Sequence, residues 1–176
     1  MILAIDVHYR AEEAQAVGML FNWDSIHAIQ IVNATVKDIK EYVPGEFYKR
    51  ELPCLMDIIN KIDLNSLEAI IVDGHVYIDN ELNLGLGGKL WESLQQKVPV
   101  IGVAKTSFFR NKNTVIEVNR GKSDKPLYVS SIGMDVSLAA CKVKEMAGGF
   151  RIPSLLKELD VLTKSPPPFQ KLTAKI

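Results

Sequence analysis

Two aspartates end apolar runs in this chain: Asp6 follows "MILAI" and Asp73 follows "AIIV". A carboxylate held at the rim of an apolar core carries a desolvation cost. Two such groups side by side also repel each other. A divalent cation relieves both penalties, and an all-oxygen donor set suits magnesium or manganese. Glu51, just before Pro53, is a third acid placed to approach from a neighbouring helix. A plainer arrangement uses the same residues, with Arg50 or Lys105 neutralising the acids in ion pairs. Gly74, behind Asp73, equally fits a simple turn.

The metal chemistry requires Asp6 and Asp73 to stand at the ends of adjacent strands. "ILAIDVHY" (2–9), "AQAVGMLFNW" (14–23) and "HAIQIVNATV" (27–36) read as three strands joined by short links, an antiparallel meander. "LEAIIVD" and "VPVIGVAK" are short, continuous apolar runs, the pattern of strands covered on both faces. Between them "LGLGGKLWESLQQK" reads as a helix, and Pro53 fits the first turn of another helix running to about Lys61. "TVIEVN" and "LYVSS" predict a hairpin within 114–131, and two helices follow, one capped by Ser137 and one after Pro153. The order βββαβαβ implies an α/β fold: a mixed sheet, with its first three strands antiparallel and later strands parallel, flanked by helices. In it the first and fourth strands are central neighbours, and ligands gather at carboxyl ends of parallel strands.

The 176 residues suit one domain, expected over 1–165, with "SPPPF" leading into a short tail at 166–176. Hydrophobic residues make up 47% and charged residues 24%; Lys plus Arg and Asp plus Glu number 21 each. That balance announces no nucleic-acid partner through bulk charge and leaves room for a local basic face. Cys54 and Cys141 stand far apart without metal-type spacing, which fits reduced thiols in a cytoplasmic protein. No stretch is long enough to span a membrane, and Asp6 comes too early for a signal peptide.

Several segments, in order, resemble the serial motifs of the endonuclease V family: "DVHY", "YVPGEFYKRE", "IIVDGH", "IGVAK", "YVSSIGMDVSL" and "GGFRIPSLLKELDVLTK". The resemblance implies a ribonuclease-H-like fold and a metal-dependent nuclease. Such an enzyme recognises deoxyinosine in DNA, or inosine in RNA, and cuts a phosphodiester on its 3′ side in DNA repair or RNA processing. By resemblance Asp6, Glu51 and Asp73 are the ligands of Mg2+ or Mn2+, and Lys105 sits by the scissile phosphate. Tyr42, Val43, Pro44 and Gly45 form a wedge that enters the strand beside the modified base, while Gly74 and Gly102 line its pocket. The implied partner is nucleic acid, single-stranded or mismatched, bound by a monomer. A catalytically weakened binding module that kept the fold is the alternative.

Departures from the family pattern bear on that choice. Met134 replaces a histidine that the resemblance assigns to the catalytic site, so restoring that histidine is expected to raise the rate. His8 replaces a serine and shares a strand face with Asp6, which makes it a candidate substitute for the lost imidazole. His75 is a second accessory candidate, and Asp79 replaces another family histidine. The segment from Lys105 to Met134 is short where the family carries an extra hairpin.

Overall fold

The computed structural model describes residues 1–11, 13–37 and 47–166. Seven strands form one sheet: β1 (Ile2–Tyr9), β2 (Glu13–Phe21), β3 (Gln30–Lys37), β4 (Ala69–Asp73), β5 (Val100–Ala104), β6 (Ile116–Val118) and β7 (Leu127–Ile132). Their spatial order is β3-β2-β1-β4-β5-β7-β6. β1, β2 and β3 pair antiparallel as the meander requires, and β1, β4 and β5 run parallel. The hairpin expected within 114–131 is present as β6–β7, and it joins the sheet with β7 antiparallel to β5.

Four helices cover the faces: α1 (Phe47–Ile59), α2 (Leu86–Ser93), α3 (Val136–Glu145) and α4 (Ser154–Lys164). Strand alternation divides the core. Leu3, Ile5, Ile70 and Val72 pack with Leu55, Ile58 and Leu90 of α1 and α2, while Ile2, Ala4, Ala69 and Ile71 pack with Ala139, Val143, Leu155 and Leu159 of α3 and α4. β4 and β5 are buried along nearly their whole length, as continuous apolar runs between two helical layers must be.

Two helix boundaries differ from expectation. α1 begins at Phe47, so Pro53 lies inside it rather than in its first turn. Proline lacks the N–H that would bond the preceding turn; Pro53 is exposed, so solvent can serve the carbonyl it leaves. At α3 the cap is Asp135, whose Oδ1 accepts the Leu138 N–H at 2.9 Å, and Ser137 is already helical. The wedge residues Tyr42, Val43, Pro44 and Gly45 lie outside the described residues, as does the tail from 167 onward. Among the described residues no helix is long and apolar enough to cross a membrane.

Candidate active site

β1 and β4 pair in parallel from Ile2–Ala69 to Ile5–Val72. The next residues on the two strands are Asp6 and Asp73, so strand register sets the two acids side by side just beyond the last ladder pair. Alternation points both toward the layer containing α4. Asp6 is not at the end of its strand, because β1 runs on to Tyr9 paired with β2.

The other layer supplies Glu51. It extends the buried stripe of α1 one turn beyond Leu55 and is only 6% exposed. Its Oε2 has no hydrogen-bond partner among the described residues. Burial, then the charges of Asp6 and Asp73, push its carboxyl up to about 8 against the partial offset of Arg50. Asp6 is also raised, chiefly by burial and further by Asp73 and Asp160. These directions are those of buried acids held close to one another.

Two residues of α4 complete the cluster, and the sequence reading assigned neither. The buried Thr163 hydroxyl donates to Asp6 Oδ2 at 2.6 Å, which favours the charged form and opposes the rise. Asp160, three residues earlier on the same helix face, meets Lys164 at 2.7 Å, Lys157 at 3.5 Å and Lys105 at 4.0 Å. Its carboxyl is held below the usual aspartate range, first by the Lys164 bond. The signal available in the sequence was spacing: Leu155, Leu159 and Thr163 mark the buried stripe of α4, and Asp160 borders it.

Lys105 follows β5 and lies 3.6 Å from Asp73 Oδ2, so one of the expected ion pairs is present. Both partners are about half exposed, and such a pair contributes little. Arg50 instead stacks over the Tyr9 ring, 3.9 Å from its centroid. A cleft of about 80 Å³ lies between Asp6, Asp73, Lys105 and Asp160, floored by Ile152 and Leu156.

The loop after β4 is tightly built. Gly74 has φ +146°, a backbone conformation that side chains rarely adopt, and Gly102 lies directly beneath it. A Cβ on Gly102 would stand 2.5 Å from the Gly74 carbonyl oxygen and 2.7 Å from Ser130 Oγ. Gly102 therefore acts through backbone packing under the loop. His75 is buried, with Nε2 at 2.8 Å from the Thr106 carbonyl oxygen and its ring against Phe108 at 4.9 Å. Burial lowers its pKa. A carbonyl can only accept, so the neutral ring carries its proton on Nε2 and leaves Nδ1 a buried acceptor without a partner among the described residues. Asp79 lies outside this pocket wall, accepting from Glu81, from the Asn83 backbone and from the Asn83 side chain within an exposed turn.

The expectation for Met134 does not survive the topology. β7 runs antiparallel to β5, with Ile132 opposite Val100 and Tyr128 opposite Ala104. Met134 therefore follows the strand end farthest from Lys105, about four strand residues or roughly 13 Å along the sheet. A histidine there could not reach the acids, whereas Asp160 and Thr163 of α4 stand beside them. His8 lies two residues beyond Asp6 on the same strand face and pairs with Gln15 in the register of β1 and β2.

Among the described residues no three acids, histidines or cysteines close into a ready-made metal cage. The donors still fit a hard cation: the buried Glu51 carboxyl has an oxygen without a hydrogen-bond partner among the described residues and lies near enough to Asp6 and Asp73 to feel both charges. Magnesium commonly takes only one or two carboxylates and completes its shell with water and substrate phosphate.

A mixed sheet of this order, with acids side by side on its two central parallel strands, is the ribonuclease-H-like arrangement. The profile of the endonuclease V family matches residues 1–160, and the chain belongs to that family of phosphodiester-hydrolysing nucleases, which as a class depend on a metal ion. An endonuclease V of Geotalea uraniireducens is 25% identical over 178 residues, covering 90% of this chain and 74% of the relative. The catalytic domain of human endonuclease V superposes with a TM-score of 0.75 at 19% identity, over 93% of this chain and 80% of that one. Endonuclease V of Ciona intestinalis, solved with a 24mer DNA containing an inosine followed by a ribo-adenosine, gives 0.76 at 17% identity, over 93% and 84%.

Proposed function

We propose that this protein is a metal-dependent endonuclease acting on nucleic acid that contains deoxyinosine or inosine, hydrolysing a phosphodiester on the 3′ side of the modified base. The observation that carries the reading is Glu51, a buried carboxyl pushed up to about 8 by burial and by the charges of Asp6 and Asp73, with an Oε2 that has no hydrogen-bond partner among the described residues. Asp6, Glu51 and Asp73 would hold Mg2+ or Mn2+, with Asp160 beside them. A divalent ion at such a site supplies Lewis-acid activation of water and stabilisation of the leaving oxygen.

The chain's own groups do the rest. Thr163 keeps Asp6 oriented and favours its ionised form. Lys105 turns from Asp73 toward the scissile phosphate and offsets its charge. Gly74 and Gly102 let the loop after β4 form a close wall for an extruded base, and Tyr42, Val43, Pro44 and Gly45 act as the wedge that extrudes it. Extrusion costs least in single strands and at mismatches, so those are the favoured substrates.

One observation favours the alternative of a binding module with weakened catalysis: Lys105 sits within ion-pair reach of Asp73 and Asp160, where the cation would act. Cleavage of inosine-, adenosine- and guanosine-containing oligonucleotides, single- and double-stranded, with and without Mg2+, separates the two readings. Mg2+-dependent cleavage selective for inosine supports the enzyme, and Asp6→Asn or Asp73→Asn should lower it by at least about 100-fold, beyond the effect typical of outer-shell groups. Binding without cleavage identifies the module; neither sinks both.

A further inference from the structure

Phe150 is the most exposed large apolar residue among those described, at 79%, yet the loop that carries it is held unusually firmly. Arg120, in the turn after β6, is 6% exposed and spends its guanidinium on backbone carbonyls of that loop and the end of α3. Its Nε donates to Lys144 O at 3.1 Å, Nη1 to Phe150 O at 3.1 Å, and Nη2 to Gly148 O at 3.0 Å and to Met146 O. The neighbouring Gly121 packs so closely that a Cβ there would stand 2.4 Å from the Gly149 carbonyl oxygen. A ring held out in water on a loop tied by a buried guanidinium to four backbone carbonyls is a preorganised surface, and preorganisation lowers the entropic cost of binding.

Phe150 borders a groove of about 990 Å³ that also contains Lys122, Lys157, Ile152 and Val161. Ile152 and Lys157 line the catalytic cleft as well, so the groove continues directly from it. Lysines flanking an exposed aromatic match the pattern of single-strand binding, in which bases stack on rings while cations follow phosphates. Resting on the nuclease reading, we propose that Phe150 is a stacking platform for a base of the single strand leading away from the cleft, with Lys122 and Lys157 on its phosphates. Arg120 is the positioning residue that holds the platform.

The test places 2-aminopurine at successive positions of a single-stranded inosine oligonucleotide and follows its fluorescence with the full chain. One position remote from the inosine should be quenched on binding. Phe150→Ala should abolish that quenching and weaken binding roughly 5- to 150-fold, the range of one lost stacking contact; Phe150→Tyr should restore both. Unchanged quenching and affinity in Phe150→Ala overturn the platform while leaving inosine cleavage, measured in parallel, to judge the nuclease reading. An oligonucleotide that the parent protein neither binds nor cuts overturns both. Concentration-dependent dimerisation lost in Phe150→Ala, with oligonucleotide binding intact, would instead assign the groove to a second copy of the chain and refute the proposal.

Discussion

Replacing Glu51 with glutamine should make the metal-free protein more stable in mild alkali. Burial and the charges of Asp6 and Asp73 move the Glu51 carboxyl from 4.5 to about 8. The folded state therefore holds a proton that the unfolded chain has released, and stability falls as the pH rises between those values, levelling off above about 8. A tenfold change in proton affinity corresponds to about 1.4 kcal/mol, so the ionised group opposes folding by up to about 5 kcal/mol. Relaxation and water entry reduce the penalty of burying a charge, so a gain of about 2 kcal/mol is expected in Glu51→Gln at about pH 9. For a chain of this size that is roughly 4–8 °C in Tm. Near pH 4.5 both proteins carry a neutral group, and their melting temperatures should agree closely. Thermal melts in chelator across this range provide the assay. Adding Mg2+ should stabilise the parent, by about 2.7 kcal/mol at a hundredfold excess over Kd, and Glu51→Gln much less. Equal melting temperatures of the two proteins at every pH would refute the electrostatic account of the cluster.

Thr163→Val removes the donor to Asp6, so the Asp6 pKa should rise further and the acidic limb of the cleavage pH profile should move to higher pH. An unmoved limb would show that Asp6 does not govern it. Gly102→Ala drives a methyl group against the Gly74 carbonyl oxygen, and backbone there cannot swing aside as a long side chain would. The cost should be about 1–3 kcal/mol by denaturant unfolding, together with weaker discrimination of inosine. Met134→His should leave the cleavage rate within about twofold of the parent, because position 134 follows the far end of β7; the 10²–10⁴-fold typical of acid–base assistance would overturn that placement. His8→Ser tests the remaining imidazole near Asp6, and a lower rate with an unchanged melt would assign it an accessory role.

Much of this protein was legible one residue at a time. Continuous apolar runs ending in Asp6 and Asp73 identified two buried strands and their carboxylates, because a strand covered on both faces leaves little room for polar residues before its end. The short links after Tyr9 and Trp23 required a meander, and the long excursions around Asp73 required parallel crossovers, which together made the first and fourth strands neighbours. Glu51 and Lys105 were found by their motifs.

What stayed hidden depends on register and on distant packing. That Asp6 and Asp73 stand level follows from the pairing of Ile5 with Val72, which no local pattern specifies. Asp160 and Thr163 join the site because α4 crosses β1, a contact spanning 157 residues between Thr163 and Asp6. Met134 was misplaced for the same reason: motif order says which residues occur, while strand direction decides which end of the sheet they reach. Local sequence thus determined the strands, helices and individual acids, through periodicity and the cost of burying charge. Only tertiary structure decided which of those acids meet, because convergence is set by strand direction and helix crossing, and both are properties of the whole chain.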